Sequence, residues 1–136
     1  MSTMVLEIVT PERKVYEKEV EMVLVKGVEG ELGIFPNHVP LVTPLSIAPV
    51  RAKVGGKEEV LAVGGGFMEV RKDKVVILAE SAEFPNEIDV ERANAAKVRA
   101  EQRLSLSSKA SDEVDFKRAE LALKKALNRI DVAQRR

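Results

Sequence analysis

The sequence predicts a β + α chain: an N-terminal antiparallel β-sandwich over residues 1–85, then a C-terminal antiparallel two-helix hairpin over 86–136. Three observations predict it. Short Val/Ile/Leu-rich runs, several alternating with period 2, fill the first part without helical crossovers, as in a sandwich or barrel. Pro85-Asn86 then breaks the chain, and the apolar spacing changes to that of a helix. The charge changes with it: residues 1–85 carry 10 basic and 13 acidic side chains, whereas 86–136 carry 12 and 9.

Strand-like runs lie at 4–9, 19–28, 46–54, 58–63, 67–71 and 74–79. Turn formers separate them: Gly30 and Gly33, Pro36-Asn37, Pro40, Pro44, Gly55-Gly56, Gly64-Gly65-Gly66 and Lys72-Asp73-Lys74. Gly55-Gly56 between two such runs is a hairpin signal. Asp89 is placed as the N-cap of a helix reaching about Leu104. The serine-rich stretch 105–111 reads as a loop, and Ser111 or Asp112 caps a second helix running to about Ala133.

Helical spacing puts Ala93, Ala96, Ala100 and Leu104 on one narrow seam of small residues. The second helix offers a wider stripe of Phe116, Ala119, Ala122, Leu123, Ala126, Leu127, Ile130 and Ala133. A two-helix hairpin buries little surface. At ~25 cal/mol per Å² against ~1–2 kcal/mol per ordered residue, it is marginal alone. It needs the β domain, a ligand or a partner, and is a candidate moving part.

Length bounds the chain to one domain, or a small domain with an appendage, at 136 residues. Aromatics make up only 4%, so the core is expected from Val, Leu, Ile and Ala. There is no cysteine, which excludes disulfides and thiolate chemistry. A formal net charge of zero argues against bulk nucleic-acid binding. No apolar run approaches the ~20 residues of a bilayer span, and residues 1–10 lack the regions of a signal peptide. A cytoplasmic location is expected, with any membrane association made through a partner.

The second part holds the chemistry. Arg92, Arg99 and Arg103 stack along one flank of the first seam, and neither Arg99 nor Arg103 has an acid three or four residues away. Arg118, Lys125 and Arg129 edge the second stripe, and Lys125 and Arg129 again lack an acid at that spacing. Lys117 and Lys124 can each reach Glu120. If the seams pack, two basic flanks converge in a way that suits phosphate; plain solvation of these charges is the alternative. Leu121 and Val132 fall on the basic face of the second helix, a weak hint of a surface for an acidic partner.

Elsewhere the signals are poor. His38 has neither cysteine nor a neighbouring acid, which points to a turn or interface role. Gly64-Gly65-Gly66-Phe67 lacks the Lys-Ser/Thr of a phosphate loop and marks a bulge or a close backbone approach. No acid, base, nucleophile or metal set emerges.

Several longer motifs resemble a known family over the whole length. They are V-T-P at 9–11, V-Y-E at 15–17, G-E-L-G-I-F-P-N-H-V-P-L at 30–41 and G-G-F-M-E-V at 65–70. I-D-V-E-R-A at 88–93 and D-F-K-R-A-E-L-A-L-K-K-A at 115–126 complete them. The chain resembles the epsilon subunits of bacterial F-type ATP synthases, in detail the thermophilic Bacillus type. The resemblance implies a non-catalytic subunit of the central stalk, peripheral on the cytoplasmic side of the bacterial cell membrane. Its partners are then the gamma subunit, the c-ring and the alpha/beta catalytic head, with no nucleic acid and no direct membrane insertion.

In that family the β domain binds gamma and rests on the c-ring. The matching loop here supplies Glu31, Gly33, Ile34, Phe35, Pro36, His38, Pro40 and Leu41. The hairpin inhibits ATP hydrolysis when extended, and the implied inhibitory contacts are Lys117, Arg118, Lys124, Lys125 and Arg129. No cofactor is required; ATP is implied as a regulatory ligand that favours the folded hairpin. Its implied site is Glu83, Ile88, Asp89, Arg92, Ala93, Arg99, Lys125 and Arg129. Lys125 stands where such relatives carry arginine, a point charge in place of a bidentate fork. A free-standing nucleotide- or phosphate-binding module is the alternative.

Overall fold

The computed structural model describes residues 2–107 and 113–135. The chain divides into two compact units, Met1–Phe84 and Pro85–Arg136.

The first unit holds eight strands: β1 (Met4–Val9), β2 (Lys14–Val20), β3 (Met22–Gly27), β4 (Gly30–Ile34), β5 (Leu41–Val54), β6 (Lys57–Val70), β7 (Lys74–Ala79) and β8 (Ala82–Glu83). They join in the order β2-β1-β7-β6-β5-β3-β4, with β8 paired to β6. All neighbours are antiparallel except β1 and β7.

The hydrogen-bonded path is continuous, and the 14-residue strands β5 and β6 carry it through both layers of the sandwich. Residues 66–70 of β6 pair with β7, while its other end faces β2 across the domain. There the Tyr16 hydroxyl donates to Glu59 Oε1 at 2.7 Å, and Lys18 Nζ bonds the same carboxylate at 2.9 Å. Two strands three places apart on the path meet only if the sheet folds over.

The core between the layers is aliphatic, as the composition requires: Leu6, Ile8, Val23, Ile34, Leu61, Met68 and Ile77 are fully buried. The Tyr16 and Phe84 rings add a tilted pair at 6.1 Å.

Several element bounds differ from those the sequence suggests. β2 and β4 are separate strands, and the run at 19–28 breaks at Glu21. β2 is an edge strand guarded by charge, so it lacks the apolar alternation of a buried one. Pro44 and the three glycines sit inside β5 and β6 rather than between strands. The ladder between β3 and β5 is irregular between Leu24 and Gly27, opposite the stretch of β5 where Pro49 has no N–H to donate.

Gly66 has φ 145°, and a Cβ there would collide with the Leu78 carbonyl. The glycine run therefore marks a close backbone approach within a continuous strand. Gly55 and Gly56 both have positive φ, 57° and 78°, in the hairpin joining β5 to β6.

The second unit opens with a short 3-10 turn, Pro85–Glu87, followed by α1 (Val90–Ser107) and α2 (Glu113–Ala133). Asp89 Oδ1 accepts the Arg92 N–H at 3.1 Å, so Asp89 is the N-cap. Helix α1 runs on through Ser107, past the end expected at Leu104. Residues 108–112, including the expected caps Ser111 and Asp112, lie outside the described residues.

The helices pack on each other, with Ala93 and Ala100 of α1 and Ala119 and Ala126 of α2 buried. Alanine at these positions lets the backbones come close. Val132 departs from its expected exposure: it is fully buried, whereas Leu121 is exposed. Helix α2 packs on the Pro85–Glu87 turn as well as on α1.

Candidate functional site

The candidate site in the helical unit is built from helix surface. Arg92 and Arg99 are exposed on α1 and Lys125 on α2, while Arg129 is half-buried. Among the described residues, Arg92, Arg99 and Arg103 have no ion-pair partner. Lys125 and Arg129, without an acid at helical spacing, nevertheless each make an interaction. The two basic flanks lie on one packed hairpin.

Ile88 and Ala93 are buried, and Asp89 is turned onto the helix backbone. Glu83 lies in β8 of the other unit, half-buried and engaged in an interaction of its own. Lys117, Arg118 and Lys124 are exposed on α2, with Val114 and Leu121 exposed on the same helix. Positions 114, 117, 121 and 124 share one face at spacings of three and four, so apolar and basic groups alternate along it.

The loop candidates in the β unit divide by burial. Ile34 is 1% exposed and belongs to the core, and Leu41 packs against that core. They hold the loop; Glu31, Phe35 and Pro40 present it to solvent. Gly33 sits against the Met22 side chain, where a Cβ would come within 2.8 Å. The tip is stiffened by the His38 N–H donating to the Phe35 carbonyl at 3.2 Å and the Asn37 N–H to the Lys72 carbonyl at 3.1 Å. His38 Nδ1 lies 2.7 Å from the Val39 carbonyl oxygen, a turn contact. Pro36 completes the turn, and Val39 beside it is 72% exposed.

A second surface on this unit was not singled out from sequence. Register aligns Pro44, Phe67, Leu78 and Val9 as direct neighbours across β5, β6, β7 and β1. Phe67 and Leu78 are each 57% exposed, and Val42 nearby is also exposed. With Val9, Thr10, Pro11 and Glu80, Phe67 and Leu78 border a shallow groove of about 340 Å³. The only sequence signal was that Phe67 and Leu78 are apolar at positions whose alternating neighbours, Met68 and Ile77, fill the core.

Several charges on the sheet are paired, Lys18 with Glu59, Arg51 with Glu58 and Arg71 with Glu69. Glu7 is nearly buried between Lys74 and Lys14, and these hydrogen bonds hold its carboxyl below the usual range. Burial and the bond to Glu59 push the Tyr16 hydroxyl up. Among the described residues no group of His, Asp and Glu is arranged to hold a metal ion. No helix among them is long and apolar enough to cross a membrane.

The family model described as "ATP synthase, Delta/Epsilon chain, beta-sandwich domain" matches residues 3–85. The one described as "ATP synthase, Delta/Epsilon chain, long alpha-helix domain" matches residues 86–134. The ATP synthase epsilon chain of Halalkalibacterium halodurans is 57% identical over 135 residues, covering 99% of this chain and 100% of that one. That of Alkalihalophilus pseudofirmus is 61% identical over 132 residues, covering 97% and 98%. Among solved structures, a chain of the Euglena gracilis mitochondrial ATP synthase assembly of OSCP, F1 and c-ring superposes with a TM-score of 0.81. At 23% identity, over 98% of this chain and 82% of that one, the likeness is one of fold.

Proposed function

The chain belongs to the ATP synthase delta/epsilon family, and from that membership we propose that it is a non-catalytic central-stalk subunit whose hairpin restrains ATP hydrolysis and responds to ATP. Full-length similarity to chains named ATP synthase epsilon chain supports the stalk assignment. The exposed apolar row from Pro44 to Val9 and the stiff loop at 31–41 are the two faces offered to the gamma subunit and the c-ring. Contact with the c-ring makes the subunit peripheral on the cytoplasmic side of the membrane.

The hairpin carries the regulatory half. Exposed Val114 and Leu121 beside Lys117, Arg118 and Lys124 suit an extended state in which α2 meets acidic segments of the catalytic head. The ATP reading rests chiefly on Arg92 and Arg99, exposed on the α1 flank and without an ion-pair partner among the described residues. Lys125 and Arg129 extend that cationic set onto α2. A ligand that binds only the folded hairpin stabilises it by ~2.7 kcal/mol at a hundredfold excess over Kd. That is enough to redistribute a marginal element.

Calorimetric titration of the full chain with ATP tests this. Saturable binding, weakened about tenfold or more in Arg92→Gln through loss of a charge-assisted bond, is expected. No binding at millimolar ATP overturns the nucleotide reading and leaves the stalk assignment standing.

A further inference from the structure

Asn37 is the one residue other than glycine with a left-handed backbone among the described residues, at φ 66°. The local sequence explains part of this. Proline second in a four-residue turn presets its φ, and the third residue then takes a positive φ, which asparagine tolerates best after glycine. Phe35-Pro36-Asn37-His38 has that order, and the His38 N–H closes the turn on the Phe35 carbonyl at 3.2 Å. The Asn37 side chain is exposed and makes no hydrogen bond among the described residues. The position is therefore used for its backbone.

That backbone is held from outside the loop. The Asn37 N–H donates to the Lys72 carbonyl at 3.1 Å. Among the described residues this is the one backbone bond from loop 35–40 to another part of the unit. Lys72 lies in the turn of residues 71–74 that joins β6 to β7. Three successive carbonyls of that turn serve three partners. Lys72 holds the loop, Asp73 accepts the Val5 N–H of β1 at 3.1 Å, and Lys74 accepts the Arg71 N–H at 2.8 Å to close the turn itself. The Lys74 ammonium also pairs with Glu7 of β1. Arg71, Lys72 and Asp73 are exposed, so the turn serves the loop as a fixed set of acceptors. The loop it holds presents Phe35 and Val39 at 58% and 72% exposure. Strained residues that their surroundings over-determine cluster where a surface is preorganised for function.

We propose that Asn37 is a positioning residue, and that the 71–74 turn is the seat on which it sets the exposed tip, Phe35 and Val39, for contact with the c-ring. The contact half rests on the stalk reading above; the seat half rests on the hydrogen bonds. A loop already ordered before its partner arrives loses less conformational freedom on binding. Asn37 acts through the conformation of the loop and needs no contact of its own.

The test compares Asn37→Gly, Asn37→Val and Phe35→Glu. Hydrogen exchange of the amide at position 37 and thermal melting are read on the full chain. Retention of the c-ring and proton pumping per ATP hydrolysed are read on the ATP synthase assembled with it. Asn37→Gly keeps a positive φ without strain and is expected to match the wild type in protection and pumping. Asn37→Val puts a β-branched side chain at a left-handed φ and is expected to lower protection of that amide about tenfold. Its melting should stay near that of the wild type, because the loop lies outside the core. Its pumping per ATP should fall about twofold or more, as the fraction of chains with the tip in place falls. Phe35→Glu should leave protection unchanged and weaken c-ring retention, since a carboxylate in an apolar contact is costly.

Full protection in Asn37→Val overturns the seat half. Lost protection with normal pumping in that variant overturns the positioning role. Loss of pumping in Asn37→Gly with protection retained also overturns it, because the asparagine side chain is then itself a contact. Unchanged c-ring retention in Phe35→Glu overturns the contact reading of this loop, while the exchange series still decides whether the turn holds it.

Discussion

Glu7 shows how a single residue couples the sheet to pH. The residue is 7% exposed, with Lys74 and Lys14 each on one of its carboxylate oxygens. The bond to Lys74, then that to Lys14, depresses its pKa from 4.5. A depressed carboxylate adds stability that is present above its unfolded pKa and lost as pH falls through the folded one. Thermal melting followed downward from neutral pH is therefore expected to lose stability below about 4.5. Glu7→Gln should flatten that slope; an unchanged slope assigns the acid sensitivity to other carboxylates. Gly66 is the sharper local constraint. Gly66→Ala forces a Cβ onto the Leu78 carbonyl at a left-handed φ. A loss of ~2 kcal/mol or more in urea unfolding is expected. At Gly55 the same change meets open space and strains only the backbone, costing ~1 kcal/mol.

Among elements, β6 and β7 decide whether the sheet is merely a fold or also a docking face. Their inward residues fill the core, and their outward residues Phe67 and Leu78 form part of an apolar row across four strands. Because both are more than half exposed, Phe67→Glu and Leu78→Glu should leave the melting of the isolated chain nearly unchanged, within ~0.5 kcal/mol. Both should weaken co-purification with a gamma subunit, since a carboxylate buried in an apolar contact is costly. Retained co-purification would move the gamma contact to another face. Periodicity alone could not find this surface. It marks Phe67 and Leu78 as opposite to the core, but only the register of β1, β5, β6 and β7 brings them together with Pro44 and Val9.

For the whole molecule, the division at Phe84 and Pro85 makes the regulatory claim separable from the structural one. The β unit has its own core, drawn from strands within 4–83. Ending the chain after Pro85 should therefore leave incorporation into the complex intact and raise its ATP hydrolysis. Unchanged hydrolysis removes the inhibitory role while sparing the stalk assignment.

The sequence by itself determined the change of architecture near Pro85, the aliphatic core, the hairpin at Gly55-Gly56 and the cap at Asp89. Each follows from local propensity or from a period that a few residues express. Tertiary structure alone decided that Pro44 and Gly64-Gly65-Gly66 lie inside long strands, because partner strands supply bonds that propensity cannot foresee. It also decided the burial of Val132, which helical periodicity places on the basic face of α2. The candidate site was legible as basic flanks on helices. What remained hidden was the apolar row on the sheet, because periodicity places Phe67 and Leu78 on the outer face while only strand register sets Pro44 and Val9 beside them.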